Sequence, residues 1–360
     1  MNANHRYYLG FNRVAGIGPT RLRRLIEICG SVQAAWQANA AAMIAAGLDA
    51  RSSRALLTAQ RTLDLDAELL RVERAGVHLL CIEDEAYPRL VAEAPAAPPV
   101  LYVRGELKAQ DDWAVAIVGT RSPTSYGKEA TYRIAYDLAA SGVVVVSGLA
   151  LGVDTIAHQA ALEAGGRTIA VLGSGIDRIY PERNRRLGEQ IVAQGALISD
   201  YPLGTAPAPL NFPPRNRIIS ALTLATLVIE AGGESGALIT VGFALDQGRE
   251  VFAVPGSIFS RTSVGTHQLI RDGATLARGA DDILAELDLQ RANVQRATRD
   301  TLPDDPVEAA VLSLLRFDPQ TIDDLGIVAG LPAAQIAATL AMLELKGLAR
   351  QAGAFEYVRK

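Results

Sequence analysis

Between residues 113 and 290 short, nearly unbroken apolar runs alternate with helical patterns, and no other feature restricts the fold as much. The runs are Val115–Val118, Val143–Val146, Thr168–Leu172, Ala196–Ser199, Ala225–Ile229 and Glu250–Val254. Strands without a polar face are buried on both sides, the condition of a parallel sheet covered by helices. Segments such as Glu129–Ala140 and Thr155–Ala164 supply those helices. Such alternation predicts an α/β chain with a doubly wound parallel sheet. Gly76–Ile82 and Val100–Val103 predict strands that extend it, and Ala274–Ala277 a last strand at an edge.

A chain of 360 residues exceeds what one hydrophobic core usually organises. Charge marks one division: residues 1–60 carry seven basic and two acidic side chains, residues 61–112 six and eleven. Residues 61–75 read as a charged helix with Leu63, Leu65, Leu69, Leu70 and Val72 on its apolar side. Ala94–Pro99 reads as an extended connection, and Asp288–Pro306 as a second break punctuated by Pro303 and Pro306. The predicted organisation is a helical domain over 1–62, the sheet domain over 63–290, a linker over 291–305 and a small domain over 306–360.

Composition narrows the function. Apolar residues at 49% and charged residues at 21% describe a globular chain. A net charge of −4 means that any nucleic-acid role rests on a local basic patch. Cys29 and Cys81 fit no disulfide framework or zinc spacing, and the four histidines, His5, His78, His158 and His267, show no metal pattern. Met1–Gly10 lacks the apolar core of a signal peptide, and runs such as Ala221–Ile229 are too short to cross a bilayer. The expectation is a cytoplasmic protein with no membrane partner and no metal.

The first core strand leads into Val118-Gly119-Thr120-Arg121-Ser122-Pro123. A dinucleotide fingerprint needs a second glycine where Arg121 stands, and an acidic residue where the next strand ends in Ser147-Gly148-Leu149-Ala150. NAD-type chemistry is therefore disfavoured. With no GxxxxGK[ST] phosphate loop, ATPase activity is disfavoured too, and no cofactor is expected.

The strand ends instead supply anion chemistry, because strand C-termini of such sheets share one crevice lined by helix N-termini. Four segments converge there: Gly119–Ser122; Gly173-Ser174-Gly175 with Tyr180–Arg186; Asn211–Arg217; and Gly232–Ala237. Residues 178–186 hold four arginines against one glutamate. Arginine's planar fork suits phosphate, although Arg183, Arg185 and Arg186 equally fit a solvated helix face. Phe212, beside prolines, suits the core as well as a base-stacking platform among Asn211, Arg215, Asn216 and Arg217.

At these residues the chain resembles the DNA-processing protein A (DprA/Smf) family. The matching stretches are VAIVGTRSPTSYG at 115–127, SGLALGVDTIAH at 147–158, TIAVLGSGIDRIYPERN at 168–184, FPPRNRIISAL at 212–222, SGALIT at 235–240 and REVFAVPG at 249–256. The resemblance implies an extended Rossmann-like core that binds single-stranded DNA in natural transformation, protects it and loads the RecA recombinase onto it. It also implies homodimers. Arg121, Arg183, Arg185, Arg186, Arg215 and Arg217 would then hold successive phosphates, with Phe212 stacking on a base. Thr120, Ser122, Ser174, Asn184, Asn211, Asn216 and Ser235 would line the strand, while Gly119, Gly173, Gly175, Gly233 and Gly236 let backbone donors approach it. Family members often carry lysine after Tyr-Pro, where this chain has Glu182. Self-association through the tail of the core would place His267, Ile270 and Leu276 in the contact; a helix starting near Asp281 is the alternative cover for that edge.

The flanks read more plainly. Gly16-Ile17-Gly18-Pro19 between two helices suggests a small domain of SAM or helix-hairpin-helix type. Residues 306–360 follow the winged-helix order of three helices and a hairpin turning at Ala352-Gly353. Its recognition helix, Ala333–Lys346, carries only Glu344 and Lys346 as charges, which favours packing or protein contact over groove reading. Two alternatives share the fold: a nucleotide-cleaving phosphoribohydrolase of the lysine-decarboxylase-like (LOG) group, using Glu230 or Glu234, and a nucleotide-sensing module. Asp154 and His158 stand four apart, but a helix-start carboxylate with a packed histidine is the preferred reading over a catalytic pair. The expectation is a binding protein rather than an enzyme.

Overall fold

The computed structural model describes residues 4–288, 305–316, 319–346, 348–353 and 355–359. The chain divides into two compact units, residues 1–284 and 285–360. Of the linker expected at 291–305, all but Asp305 lies outside the described residues.

In the first unit the apolar runs assemble into nine strands: β1 (His78–Cys81), β2 (Val100–Gly105), β3 (Ala114–Val118), β4 (Val144–Ser147), β5 (Thr168–Val171), β6 (Ala196–Ser199), β7 (Ala225–Val228), β8 (Glu250–Ala253) and β9 (Thr275–Leu276). They form one sheet in the order β1-β2-β6-β5-β4-β3-β7-β8-β9. From β6 to β9 every pairing is parallel. β1 and β2 extend the β6 edge antiparallel. The chain runs outward from β3 to β6, then returns to β7 on the other side of β3. That reversal opens a crevice at the carboxyl ends of the strands.

The sheet separates two apolar layers by strand alternation. Ile169 and Val171 face one cluster of buried residues, whereas Ala170 and Leu172 face the other. The second of these clusters also contains Tyr7, Leu9, Phe11, Leu25, Trp36, Met43 and Leu56, so the N-terminal helices close one face of the sheet. Two polar bonds reinforce the closure: the Tyr102 hydroxyl donates to Asn12 Oδ1 at 2.9 Å, and Asn12 Nδ2 donates to the Asp200 carbonyl at 3.0 Å. Within 61–75 the helix spans Leu65–Arg74, with the Asp64 carboxylate accepting from Ala67 N at 3.0 Å. Val72 is buried there, but Leu70, expected beside it, is exposed, because it stands about 200° around the helix axis from Val72.

The second unit has helices Pro306–Leu314, Ile322–Ala329 and Ala333–Leu345 and strands β10 (Gln320–Thr321), β11 (Ala349–Gly353) and β12 (Glu356–Arg359). The strands pair antiparallel in the order β10-β12-β11. Val311, Leu325, Ile336, Leu340 and Leu343 form its core. This is the winged-helix arrangement. Lys346 on the third helix bonds Glu308 at 2.6 Å, which ties one of its two charges to the first helix. Among the described residues no single helix is long and apolar enough to cross a membrane.

Candidate nucleic-acid interface

At the carboxyl ends of the central strands lies a cleft of about 620 Å³, lined by Gly119, Arg121, Ala150, Asp154, Tyr180, Phe212, Arg215, Asn216 and Gly236 among others. Its floor is built around Arg215, on the second turn of the Phe212–Ala221 helix, whose first turn accommodates Pro213 and Pro214. Arg215 is only 5% exposed. Its Nη1 donates to the carbonyls of Gly148, at 2.9 Å, and Val171, and its Nε to Asn216 Oδ1 at 3.2 Å. Asp154 faces the same guanidinium and accepts from the N–H groups of Gly148 and Ala150 at 3.0 and 3.2 Å. Burial holds the Arg215 guanidinium down to about 10, opposed chiefly by the Asp154 charge. Burial likewise pushes His158 down to about 3, with Arg215 adding to the effect, and Nδ1 of His158 lies 2.7 Å from Thr168 Oγ1. Asp154 and His158 are therefore parts of a packed floor, and each is engaged with a different partner.

Phe212 lies over this floor. Tyr180 stacks on it at 5.8 Å with 24° between the rings, and the guanidinium carbons of Arg121 and Arg215 each stand 5.9 Å from its centroid. A Cβ on Gly173 would sit 2.6 Å from the Phe212 ring, so only glycine allows this seat. Tyr180, at 49% exposed, is the accessible ring of the pair. In the sequence Tyr180 falls within the expected Tyr180–Arg186 segment with no assigned role; an aromatic near the end of a strand-end loop is the signal it offers.

The two segments that bring Arg121 and Tyr180 to the cleft form its rim and carry exposed arginines. Arg121, Ser122, Arg183, Arg185 and Arg186 are exposed. Among the described residues Arg121, Arg183 and Arg186 pair with no carboxylate, and Arg185 lies 3.3 Å from Glu182. The loop bearing Arg121 is fixed by Thr120 N donating to the Glu230 carbonyl at 2.8 Å and by Gly152 beneath it. Gly152 has φ +83°, and a Cβ there would meet the backbone of Thr120 and Arg121 at 2.5–2.6 Å. Ser235 caps the Gly236–Asp246 helix, accepting from Ala237 N at 3.3 Å, and Gly233 and Gly236 leave its start open.

Other expected residues turn inward. Arg217 bonds Asp200 at 2.7 Å and the Ala96 carbonyl at 2.8 Å. Asn184 is buried and donates to the Leu149 carbonyl at 2.9 Å and to Thr155 Oγ1 at 2.8 Å. Ser174 is buried against the Arg178 carbonyl, Gly175 packs against the Pro202–Gly204 backbone, and Asn211 reaches the Ala206 carbonyl at 3.4 Å. The expectation is phosphate contact for Arg215 and Arg217 and a place along the strand for Asn184 and Ser174; Arg215, Asn184 and Ser174 are buried and Arg217 half-buried, and each has protein partners. Glu230, the candidate catalytic carboxylate, accepts from Thr124 N, Thr124 Oγ1 and Thr262 Oγ1 at 2.9, 2.6 and 2.9 Å, outside the cleft lining, while Glu234 is exposed. His5, distant in sequence from Cys81 and Asp84, comes with them to within 4.8 Å between polar atoms; Asp84 bonds His5 Nε2 at 2.9 Å and Cys81 N at 2.7 Å, anchoring the first helix to β1. At the far edge His267 Nε2 lies 3.0 Å from the Gly256 carbonyl, Ile270 is half-buried and Leu276 is exposed on β9.

A Rossmann-like sheet with an aromatic cleft beside Arg121 at its switch point defines a doubly wound α/β protein. Within that class the chain belongs to the DNA recombination-mediator protein A family, which matches residues 78–288, and the DprA winged helix domain matches residues 295–354. Over 396 aligned residues it is 35% identical to Protein Smf of Synechocystis, covering 100% of both chains. The X-ray structure of DNA processing protein A from Streptococcus pneumoniae superimposes with a TM-score of 0.68 at 33% identity, over 79% of this chain and 98% of that one. DNA processing protein A from Helicobacter pylori, studied for its single-stranded DNA binding mode, superimposes with a TM-score of 0.54 at 31% identity, over 59% and 96%.

Proposed function

We propose that this protein binds single-stranded DNA along the cleft without reading its sequence. Arg121, Arg183, Arg185 and Arg186 take phosphates, and the Tyr180–Phe212 pair provides a stacking surface for bases. The observation that carries this reading is the stacked, partly exposed Tyr180–Phe212 pair with Arg121 beside it, an arginine that pairs with no carboxylate among the described residues. The single-strand binding of the Helicobacter relative supports it. Arg215, Arg217 and Asn184 act here as positioning residues that hold the strand-end loops.

The test is binding to single-stranded and duplex oligonucleotides across a salt series. Arg121→Ala removes one phosphate contact and lowers the magnitude of the log–log salt slope by about 0.7 on single strands. Unchanged affinity and slope in the folded variant would remove the cleft as the DNA site, and turnover of nucleotide monophosphates would favour the phosphoribohydrolase reading instead.

The wider role follows the family: protection of incoming DNA in natural transformation, loading of RecA and self-association. Exposed Leu276 on the two-residue edge strand β9 supports a dimer there, with Ile270 and His267 beside it. Leu276→Arg introduces two charges into such a twofold contact and yields a folded monomer in sedimentation; a persisting dimer places the contact elsewhere. Failure to speed recombinase filament growth on a single strand would count against loading.

A further inference from the structure

Beyond the cleft, the loop after β8 presents two fully displayed apolar side chains: Ile258 is 79% and Phe259 91% exposed. The loop is nevertheless well fixed. Phe259 N donates to Ser257 Oγ at 3.3 Å, Ser260 N to the Ser257 carbonyl at 3.0 Å, and Ser260 and Thr262 share a hydroxyl bond of 2.8 Å. Ala231 N donates to the Thr262 carbonyl at 2.7 Å. A rigid loop that holds an aromatic ring in water is preorganised for a partner.

Its position and charge identify that partner. The loop leaves the same carboxyl edge as the cleft and abuts the glycine-rich turn: a Cβ on Gly232 would lie 3.7 Å from the Arg261 carbonyl. The buried Glu230 carboxylate joins the two places, bonding Thr124 at the end of the Arg121 loop and Thr262 in this one. From Val251 to Arg271 the chain carries two arginines and no acidic residue. Exposed Arg261 pairs with no carboxylate among the described residues.

We propose that the 257–263 loop is a second contact for a single strand lying in the cleft, with Phe259 stacking on a base and Arg261 holding a phosphate beyond the glycine-rich turn. The proposal rests on the single-strand reading of the cleft, and Glu230 is the positioning residue that keeps the two contacts in register.

Oligothymidylates from about 4 to about 16 nucleotides separate the two contacts. Phe259→Ala leaves the shortest oligonucleotide bound as before and weakens the longest at least about five-fold, with Phe259→Trp restoring affinity and its fluorescence quenched only by the longer strands. Arg261→Ala lowers the salt slope by about 0.7 on long strands alone. Equal affinity of Phe259→Ala and the parent on every length would overturn the proposal. So would a change in sedimentation that accounts for the loss, because the loop would then be covered by a second copy of the chain. Arg121→Ala, measured in parallel, distinguishes the failures: if it too binds every length like the parent, the cleft reading itself fails.

Discussion

The rim and the floor of the cleft both hold arginine, yet they use it in opposite ways. On the rim, Arg121, Arg183, Arg185 and Arg186 stand in water. A solvated guanidinium contributes little to folding and remains available to an anion. On the floor, Arg215 is buried against two strand-end carbonyls and Asp154; two residues on, outside the cleft lining, Arg217 is held by Asp200. Dehydrating the Arg215 charge is costly, and its carbonyl, amide and carboxylate partners offset that cost. Arginine content alone thus says little about phosphate binding; burial, and the protein partners that come with it, sets Arg215 apart from the exposed arginines.

That contrast can be broken most directly at Arg215. Arg215→Ala leaves the Gly148 and Val171 carbonyls and the Asp154 charge without their partner, so urea unfolding should show a loss of about 3–5 kcal/mol. A variant as stable as the parent would return Arg215 to the binding set. The next effect is in pH. His158 is held at about 3 in the folded state against an ordinary 6.5, so between those values the folded protein binds fewer protons than the unfolded chain. Stability is full above about pH 6.5 and falls as pH falls, by up to about 1.4 kcal/mol per pH unit. His158→Gln should flatten that slope in unfolding curves taken from about pH 7 to about pH 5; an unaltered slope assigns the acid sensitivity to other groups. Smallest on stability is Arg121→Ala, expected within about 0.5 kcal/mol of the parent even where its salt slope changes. A large loss of stability there would erase the distinction between rim and floor.

The sheet was legible from the sequence because runs such as Val115–Val118 and Ala225–Ile229 are buried on both faces and carry no competing polar signal. Each predicted strand lies within two residues of the observed one. The segments meeting at the cleft were legible too, since strand ends in a doubly wound sheet converge whatever their side chains. Roles within those segments were not. Arg215 and Arg217 look alike in sequence to Arg183 and Arg185, and only the fold brings Asp154 and Asp200 beside the first pair. Gly152 escaped notice for a similar reason: its need for a positive φ arises from the Arg121 backbone lying against it, a contact between separate loops. Tyr180 and Glu230 act through Phe212, Thr124 and Thr262, which are distant in the chain.

The N-terminal helices raise a different matter, that of cooperativity. Tyr7, Phe11 and Trp36 lie in the same apolar cluster as Leu149, Leu172 and Leu197 from the sheet. Leu172 directly follows β5 and Leu149 stands two residues beyond β4, next to Ala150 of the cleft lining. Shortening the chain to begin at residue 78, where the match to the family begins, would strip that layer and turn these leucines toward water. Hydrogen exchange in the first helix should therefore be as slow as in β5, and the cleft loses its backing whenever that helix lets go.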